Sequence, residues 1–398
     1  MNKLEKIRLD FPIFNQKVNE HQFIYFDSAA TAQMPQVVMD AMTSYYMTYK
    51  SNIDRGLYAF AEKTTLNYEE SRKVIAQFIQ AQPEEIIFTS GATDGINMVA
   101  AIWADHKLEA GDEIIVSEVE HHSNFLPWQQ LALHKKCILT IIPVDDNGYL
   151  DMTKYYAALS GKTKLVSIIH TSNILGTTND IGSIVAAAHQ FGAKVLVDAA
   201  QSIAHQSINV IDLACDFLVF SGHKLYGPTG IGCLFIKKEV QKECMPHKFG
   251  GSMVYNAAYD ESFWKNAPYC FESGTAPIAQ AIGLGAVVNY LKKNINFVES
   301  LQHENALAHR AANGLKDLGF HLLKQDDFSH IVTFYDSVIH AHDISAYLDS
   351  YGIAVRAGNH CVQPYHEKRG IDSTVRLSFA FYNTIQEVDF FLEVMKKL

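Results

Sequence analysis

The feature that most narrows the fold is an alternation. Short β-branched runs at 85–89, 113–117, 137–144, 165–170, 194–198, 217–220 and 232–236 are separated by stretches of helical period, among them 95–106, 124–134 and 183–191. Strands that alternate with helices build a mostly parallel sheet covered on both faces. Several runs are apolar on consecutive residues, as strands without a solvent face must be. The expectation is an α/β fold with a seven-stranded, mostly parallel sheet. After residue 291 the texture changes to a charged helical stretch at 299–318, strand-like 331–334, a helix near 343–351, strand-like 353–356 and 375–378, and a closing helix from Thr384. This reads as a smaller α+β unit. The division expected is a large domain at 20–291 and a small one made of 1–19 and 292–398.

Charge and cysteine usage exclude several classes of partner. The net charge is −10 and no Lys/Arg block is long enough to track phosphates, which excludes nucleic acid and anionic membrane surfaces. One uncharged stretch, 274–291, reaches membrane length, but it contains Pro277, Gln280, Gly283, Gly285 and Asn289 and reads as a buried loop and helix. Residues 1–14 carry charges at Lys3, Glu5, Lys6, Arg8 and Asp10, with no apolar signal-peptide core. The six cysteines show no CxxC spacing and suit reduced thiols in a cytoplasmic protein.

Two residues carry the chemistry furthest. Asp198 ends one buried strand and Lys224 follows the next, and ligands in such sheets collect at the carboxyl ends of strands. Alone, the first reads as a helix cap and the second as surface charge. Together with the turn Gly91-Ala-Thr93, whose backbone N–H groups face an anion, they describe a pyridoxal phosphate site. That cofactor needs an amine for a Schiff base, a carboxylate for its ring nitrogen and a phosphate cup.

The stretch 221–230, Ser-Gly-His-Lys-Leu-Tyr-Gly-Pro-Thr-Gly, resembles the lysine loop of the SufS-type cysteine desulfurases. These form a branch of the class V aminotransferase family, fold-type I pyridoxal phosphate enzymes. The resemblance runs from Phe-Asp-Ser-Ala-Ala at 26–30 to Tyr-Asn-Thr at 382–384. It implies that Lys224 holds the cofactor, that Ser221, His223, Ala92 and Thr93 bind its phosphate, that Asp198 pairs with the ring nitrogen, and that Asn173 and Gln201 lie near the phenolic oxygen. His121, first of the doublet in Glu-His-His-Ser, matches the histidine that stacks on the ring and shuttles protons. His122 is left structural, and no zinc site is assigned because no Cys or His stands at ligand spacing. Arg376 matches the arginine for the substrate carboxylate, with Arg356 a weaker second. Thr275 matches a residue that reaches the partner subunit's phosphate, which implies a homodimer.

Cys361 is set apart from the other five cysteines by its context, a Gly turn with Arg356 and His360 nearby, because cationic neighbours favour a thiolate. The resemblance makes it the acceptor that takes sulfur from L-cysteine as a persulfide, leaving L-alanine, for delivery to iron–sulfur cluster assembly. Its short segment sets the chain apart from the IscS/NifS branch. Asp54, Tyr58 and Asn359 depart from the histidines expected in the SufS branch, at positions expected to line the entrance. Two alternatives stay open: a selenocysteine lyase, and a cofactor-free sulfur carrier that uses Cys361 alone and has no need of Asp198 and Lys224. Finally, 338–343, Val-Ile-His-Ala-His-Asp, puts two histidines before a helix that Asp343 is expected to cap. It resembles the segment of SufS enzymes that serve a zinc-bound SufU acceptor, with His342 the candidate ligand to the partner's zinc. A SufU-like acceptor is therefore expected over a SufE-like one.

Overall fold

In the computed structural model, which describes residues 3–398, the seven runs form one sheet. The strands are β1 (Ile86–Thr89), β2 (Glu113–Ser117), β3 (Ile138–Ile142), β4 (Thr163–Ile169), β5 (Lys194–Asp198), β6 (Phe217–Ser221) and β7 (Gly232–Ile236), in the spatial order β1-β7-β6-β5-β4-β2-β3. β2 to β6 pair in parallel, and β7 is antiparallel to both of its neighbours. Every residue of β1, β2, β6 and β7 is buried, so their unbroken Val, Ile, Leu and Phe content meets helices on both faces. β3, at one edge, leaves Ile138 and Ile141 exposed.

The topology decides where the site lies. β1, β2, β4, β5 and β6 all run the same way and end at one rim, while β7 starts there, with Gly232 opposite both Ser221 and Thr89. A Cβ on Gly232 would stand 2.5 Å from the Cα of Gly91, so glycine lets the β1 turn and β7 approach closely. The membrane-length stretch is the buried helix Ile278–Asn294, packed on the helix Ala59–Phe78. A Cβ at Gly285 would meet the Ser71 side chain at 2.6 Å. No helix of the described residues is long and apolar enough to cross a membrane.

The C-terminal unit is a four-stranded antiparallel sheet, β8 (His321–Leu322), β9 (Ile331–Tyr335), β10 (Arg356–Gly358) and β11 (Thr374–Ser378), ordered β8-β9-β11-β10. Helices Phe297–Asp317, Ala341–Asp349 and Ile385–Met395 close its apolar core. The N-terminal arm, expected with this unit, serves both. Phe11 and Phe14 pack with Tyr226, Phe381 and Tyr382, Arg8 ion-pairs with Glu387, and Ile24–Tyr25, which the boundary at residue 20 had put in the large domain, forms a parallel pair with Ile353–Ala354.

The loop that carries Thr275 is tied to the sheet by charge. Arg72, buried on the helix Ala59–Phe78, forms a two-pronged ion pair with Glu272 at 2.7 and 2.9 Å, and Glu272 also accepts from the Phe88 backbone N–H. Removing one partner of a buried pair strands the other charge. Glu272→Gln is expected to lower stability by about 3 kcal/mol in urea titrations, against less than about 0.5 kcal/mol for Glu393→Gln in the exposed Lys396–Glu393 pair. Equal effects would show that burial of this pair is not what anchors the loop.

Candidate active site

At the strand rim a cavity of about 190 Å³ opens between the two units. Lys224 enters from the tight turn Gly222–Lys224 after β6, and Asp198 from the end of β5. Asp198 is buried. Burial lowers the Lys224 amine's pKa against the pull of Asp198, and raises that of Asp198 against Lys224 and the Ala200 N–H, which donates to it at 2.9 Å. Across the floor lies the N-terminus of the helix Ala92–Val99, where the Ser221 hydroxyl accepts from the Ala92 N–H at 2.8 Å and the Thr93 hydroxyl meets Ser123 at 2.7 Å.

His121, at the cavity wall, caps the helix His122–Lys135. Its Nδ1 accepts from the Ser123 N–H, so the neutral ring carries its proton on Nε2. Burial and then Lys224 hold its pKa down at about 3, so it is neutral at ordinary pH. His223 is lowered to about 4 by burial and Lys224. The sequence carried no signal for the carboxylate behind His121. Glu120 is fully buried and accepts from the Ser117 hydroxyl, the Ile169 N–H and the Asn124 amide, at 2.6, 2.9 and 2.6 Å, which fixes the turn that presents His121. Burial pushes the Glu120 carboxyl up to about 8.

The C-terminal unit supplies the opposite wall. Arg356 and Arg376 are direct cross-strand partners on β10 and β11, so both side chains leave one face of the sheet and reach the cavity. Arg376 is buried, ion-pairs with Asp27 at 2.8 Å and donates to the Asn173 carbonyl at 3.0 Å. Arg356 donates to Cys361 Sγ at 3.7 Å. His360 corrects the sequence reading: it is not a cationic neighbour of Cys361, because burial and then Arg376 drive its pKa down to about 2.

Cys361 sits in a strained turn. His360 and Cys361 have φ of +51° and +60°, the left-handed region that side chains rarely adopt. Three bonds to the large domain hold the turn: the His122 N–H donates to the Cys361 carbonyl at 2.8 Å, the Gln363 N–H to His122 Nε2 at 3.2 Å, and the Asn173 amide to the His360 carbonyl at 2.8 Å. His122, read from the sequence as structural, is thus the latch of the cysteine turn. Gln201 lies buried behind the cavity and donates to the carbonyl of Ala29, a lining residue. Thr275 lies in a separate pocket with Asp54, whose carboxylate pairs with Lys265 at 2.6 Å. Tyr58 is exposed at the start of the helix Ala59–Phe78, and Asn359 bonds the Asp372 carbonyl, bracing the cysteine turn from outside.

The donor set fits pyridoxal phosphate. An amine and a buried carboxylate face one space, and the close approach of Gly91 and Gly232 leaves a cradle beside the N–H groups of a helix terminus, with Ser221 and His223 at its side.

Residues 24–391 match the family described as aminotransferase class V. A probable cysteine desulfurase of Halalkalibacterium halodurans is 43% identical over 394 residues, 98% of this chain and 97% of that protein. A cysteine desulfurase of Haloferax volcanii is 39% identical, covering 97% of this chain and 94% of its own length. Among solved structures, the apo cysteine desulfurase of Thermococcus onnurineus NA1 superposes with a TM-score of 0.95 at 38% identity, covering 100% of this chain and 98% of that one. The Escherichia coli cysteine desulfurase CsdA, in its S-sulfonic acid form, does so at 0.92 and 34%, with the same coverage.

The latch predicts a change in thiol access. His122→Ala is expected to raise the rate at which iodoacetamide alkylates Cys361 several-fold, and His122→Gln, which keeps an acceptor for the Gln363 N–H, to restore most of the protection. Unchanged alkylation in His122→Ala would show that the turn holds itself.

Proposed function

The chain belongs to the class V aminotransferase family, and on that premise we infer how its cavity works as a pyridoxal-phosphate-dependent cysteine desulfurase. It converts L-cysteine to L-alanine. The observation that carries the residue assignment is the meeting, in one cavity, of Lys224 and Asp198 from the large domain with Arg356 and Arg376 from the C-terminal unit. Bound there, the cofactor supplies an electrophilic carbonyl and a protonated ring that draws electrons from the amino acid.

Lys224 is the group for that carbonyl, and its lowered pKa keeps a share of the amine neutral and nucleophilic. Asp198 holds the ring nitrogen's proton. Ala92, Thr93, Ser221 and His223 would hold its phosphate, Asn173, with Gln201 behind the cavity, would serve its ring, and Arg376, with Arg356 second, would take the substrate carboxylate. His121, neutral with its proton on Nε2, moves a proton to or from the substrate. Cys361 Sγ attacks the substrate sulfur. The C–S bond breaks with its electron pair left on the three-carbon fragment, which is protonated to alanine, and the sulfur stays on Cys361 as a persulfide.

A homodimer completes the site in this reading, with Thr275 of each chain closing the other's phosphate cup. It is supported by the placement of Thr275 in a pocket other than its own chain's cavity and by the exposed Leu57, Phe60 and Phe249. The persulfide serves iron–sulfur cluster assembly in the cytoplasm, a setting that suits six free cysteines. The acceptor is SufU-like. The imidazole of His340, not Asp343 as expected, caps the helix Ala341–Asp349 by accepting from the His342 N–H, because Asp343 already lies in the first turn. His342 stands exposed beside it, open to a partner's zinc.

Purified enzyme should be yellow and release alanine and sulfide from L-cysteine. Lys224→Ala should lose borohydride-fixable attachment of the cofactor. Cys361→Ala should keep the colour and lose at least 100-fold in cysteine turnover, an order of magnitude set by removing a nucleophile. Wild-type turnover in Cys361→Ala would remove Cys361 from the mechanism. For the acceptor, His342→Ala should abolish stimulation by a SufU protein and leave basal turnover intact; stimulation by SufE alone, or undiminished stimulation by SufU, would refute that pairing.

A further inference from the structure

We propose that Thr374 is a positioning residue for Cys361, and that by fastening the cysteine turn to the strand that carries Arg376 it sets the reach from the substrate carboxylate to the attacking sulfur. The proposal rests on the desulfurase reading and adds to it a buried residue outside the cavity lining.

The turn needs a holder. His360 and Cys361 lie in the left-handed region, which side chains keep only where the surrounding structure over-determines it. The His122 N–H and the Asn173 amide hold the turn from the large domain. From the C-terminal unit, the buried holder is one hydroxyl. Thr374 opens β11, opposite Gly358 of β10, and is fully buried. Its Oγ1 stands 2.9 Å from His360 Nε2, 3.1 Å from His366 Nε2 and 3.2 Å from the Gly358 carbonyl, so it meets the chain on both sides of Cys361.

The directions of these bonds make one chain. His366 Nδ1 faces the Val362 carbonyl at 3.2 Å, which can only accept, so Nδ1 carries that ring's proton and Nε2 accepts. His360 Nε2 faces the Thr374 carbonyl at 3.2 Å as well as the hydroxyl, so it carries the proton of its own ring. Burial lowers the pKa of both rings, that of His360 to about 2, and each is neutral at ordinary pH. His360 therefore donates to Thr374 Oγ1. The hydroxyl's own proton serves His366 Nε2, which has no other donor among the described residues, and His366 donates in turn to Val362. The chain begins one residue before Cys361 and ends one residue after it. A hydroxyl is needed at its centre, because only a group that both accepts and donates joins the N–H of one ring to the lone pair of the other.

The same strand sets a distance. Thr374 and Arg376 are two residues apart on β11, so they share a face, about 7 Å apart along the strand. The arginine anchors the substrate carboxylate and the threonine anchors the cysteine turn. Carboxyl carbon and sulfur of L-cysteine are only a few bonds apart, so the attacking sulfur has to be held at a matching place. A loosened turn leaves the carboxylate anchor where it is and takes the sulfur out of line, which costs rate rather than binding.

The test separates rate from binding. Holoenzyme is mixed rapidly with L-cysteine, and persulfide on Cys361 is trapped with an alkylating agent at successive times. Affinities for L-cysteine and L-alanine are read from the initial change in cofactor absorbance. Thr374→Val, which keeps the shape and loses the hydroxyl, should form the persulfide about tenfold more slowly, the size of one lost hydrogen bond, with both affinities unchanged. Thr374→Ser keeps the hydroxyl and should recover the rate to within about threefold. His366→Asn keeps a donor near the Nδ1 place and lacks the Nε2 acceptor. It should also slow the persulfide, and adding it to Thr374→Val should cost little more, because a chain already broken is not broken again. Binding of L-alanine that weakens as much as the persulfide slows would mark general damage to the cavity and overturn the proposal. So would an undiminished rate in Thr374→Val or His366→Asn, failure of Thr374→Ser to recover it, or additive losses in the double variant. Absence of alanine from L-cysteine with the wild-type enzyme would instead fail the desulfurase reading itself.

Discussion

The architecture of the site depends on an excess of positive charge gathered in a confined cavity. Lys224, Arg356 and Arg376 converge on a cavity of about 190 Å³, and the carboxylates that answer them are Asp198 and, behind Arg376, Asp27. Two arginines directly opposite each other on neighbouring strands repel, and taking a guanidinium out of water is costly unless it is paired. The arrangement is therefore incomplete without anions. On the assignment we propose, a phosphate at the helix terminus and a substrate carboxylate at the arginines complete it. Burial first, and then the same field, keeps the histidines of the wall uncharged, with His121 and His360 lowered to about 3 and 2. Hydrogen-bond direction, rather than charge, is what those rings contribute.

This field is assembled from distant parts of the chain. The large sheet brings five parallel strand ends and the start of one antiparallel strand to a single rim, and the C-terminal sheet adds the arginines and the cysteine turn from the other side. Asn173 joins the halves, since its carbonyl accepts a hydrogen bond from Arg376 while its amide donates to the His360 carbonyl. Substrate carboxylate and attacking sulfur are thus indexed to one residue of the large domain. A small shift between the units would move both together.

Much of this was legible because its causes are local. Strand runs with no polar alternation at 113–117 and 217–220 can only be buried on both faces, and strand-end residues such as Asp198 and Lys224 can only meet at the rim. What escaped the sequence was set by packing. Nothing in 232–236 tells that β7 runs against its neighbours. The twenty-residue helix Ala59–Phe78 drew no notice, because its buried face includes Thr64, Ser71 and Arg72 and blurs the apolar stripe. His360 was counted as a cation because its residue type suggests one, and burial decided otherwise. Glu120 and His122 had no motif of their own, and their work shows only in the bonds they make.

The short pairing of Ile24–Tyr25 with Ile353–Ala354 has a consequence for how the protein is made. As the chain leaves the ribosome, the strands of the large sheet emerge with their crossover helices and can close in order, since domains generally fold as units during synthesis. The arm that precedes them must wait. Its partner is among the last segments to be translated, and a contact of such sequence separation forms late. Until then Ile24 and Phe26, both destined for the C-terminal core, are exposed on a nascent chain. They stay without their apolar partners until the final strands arrive.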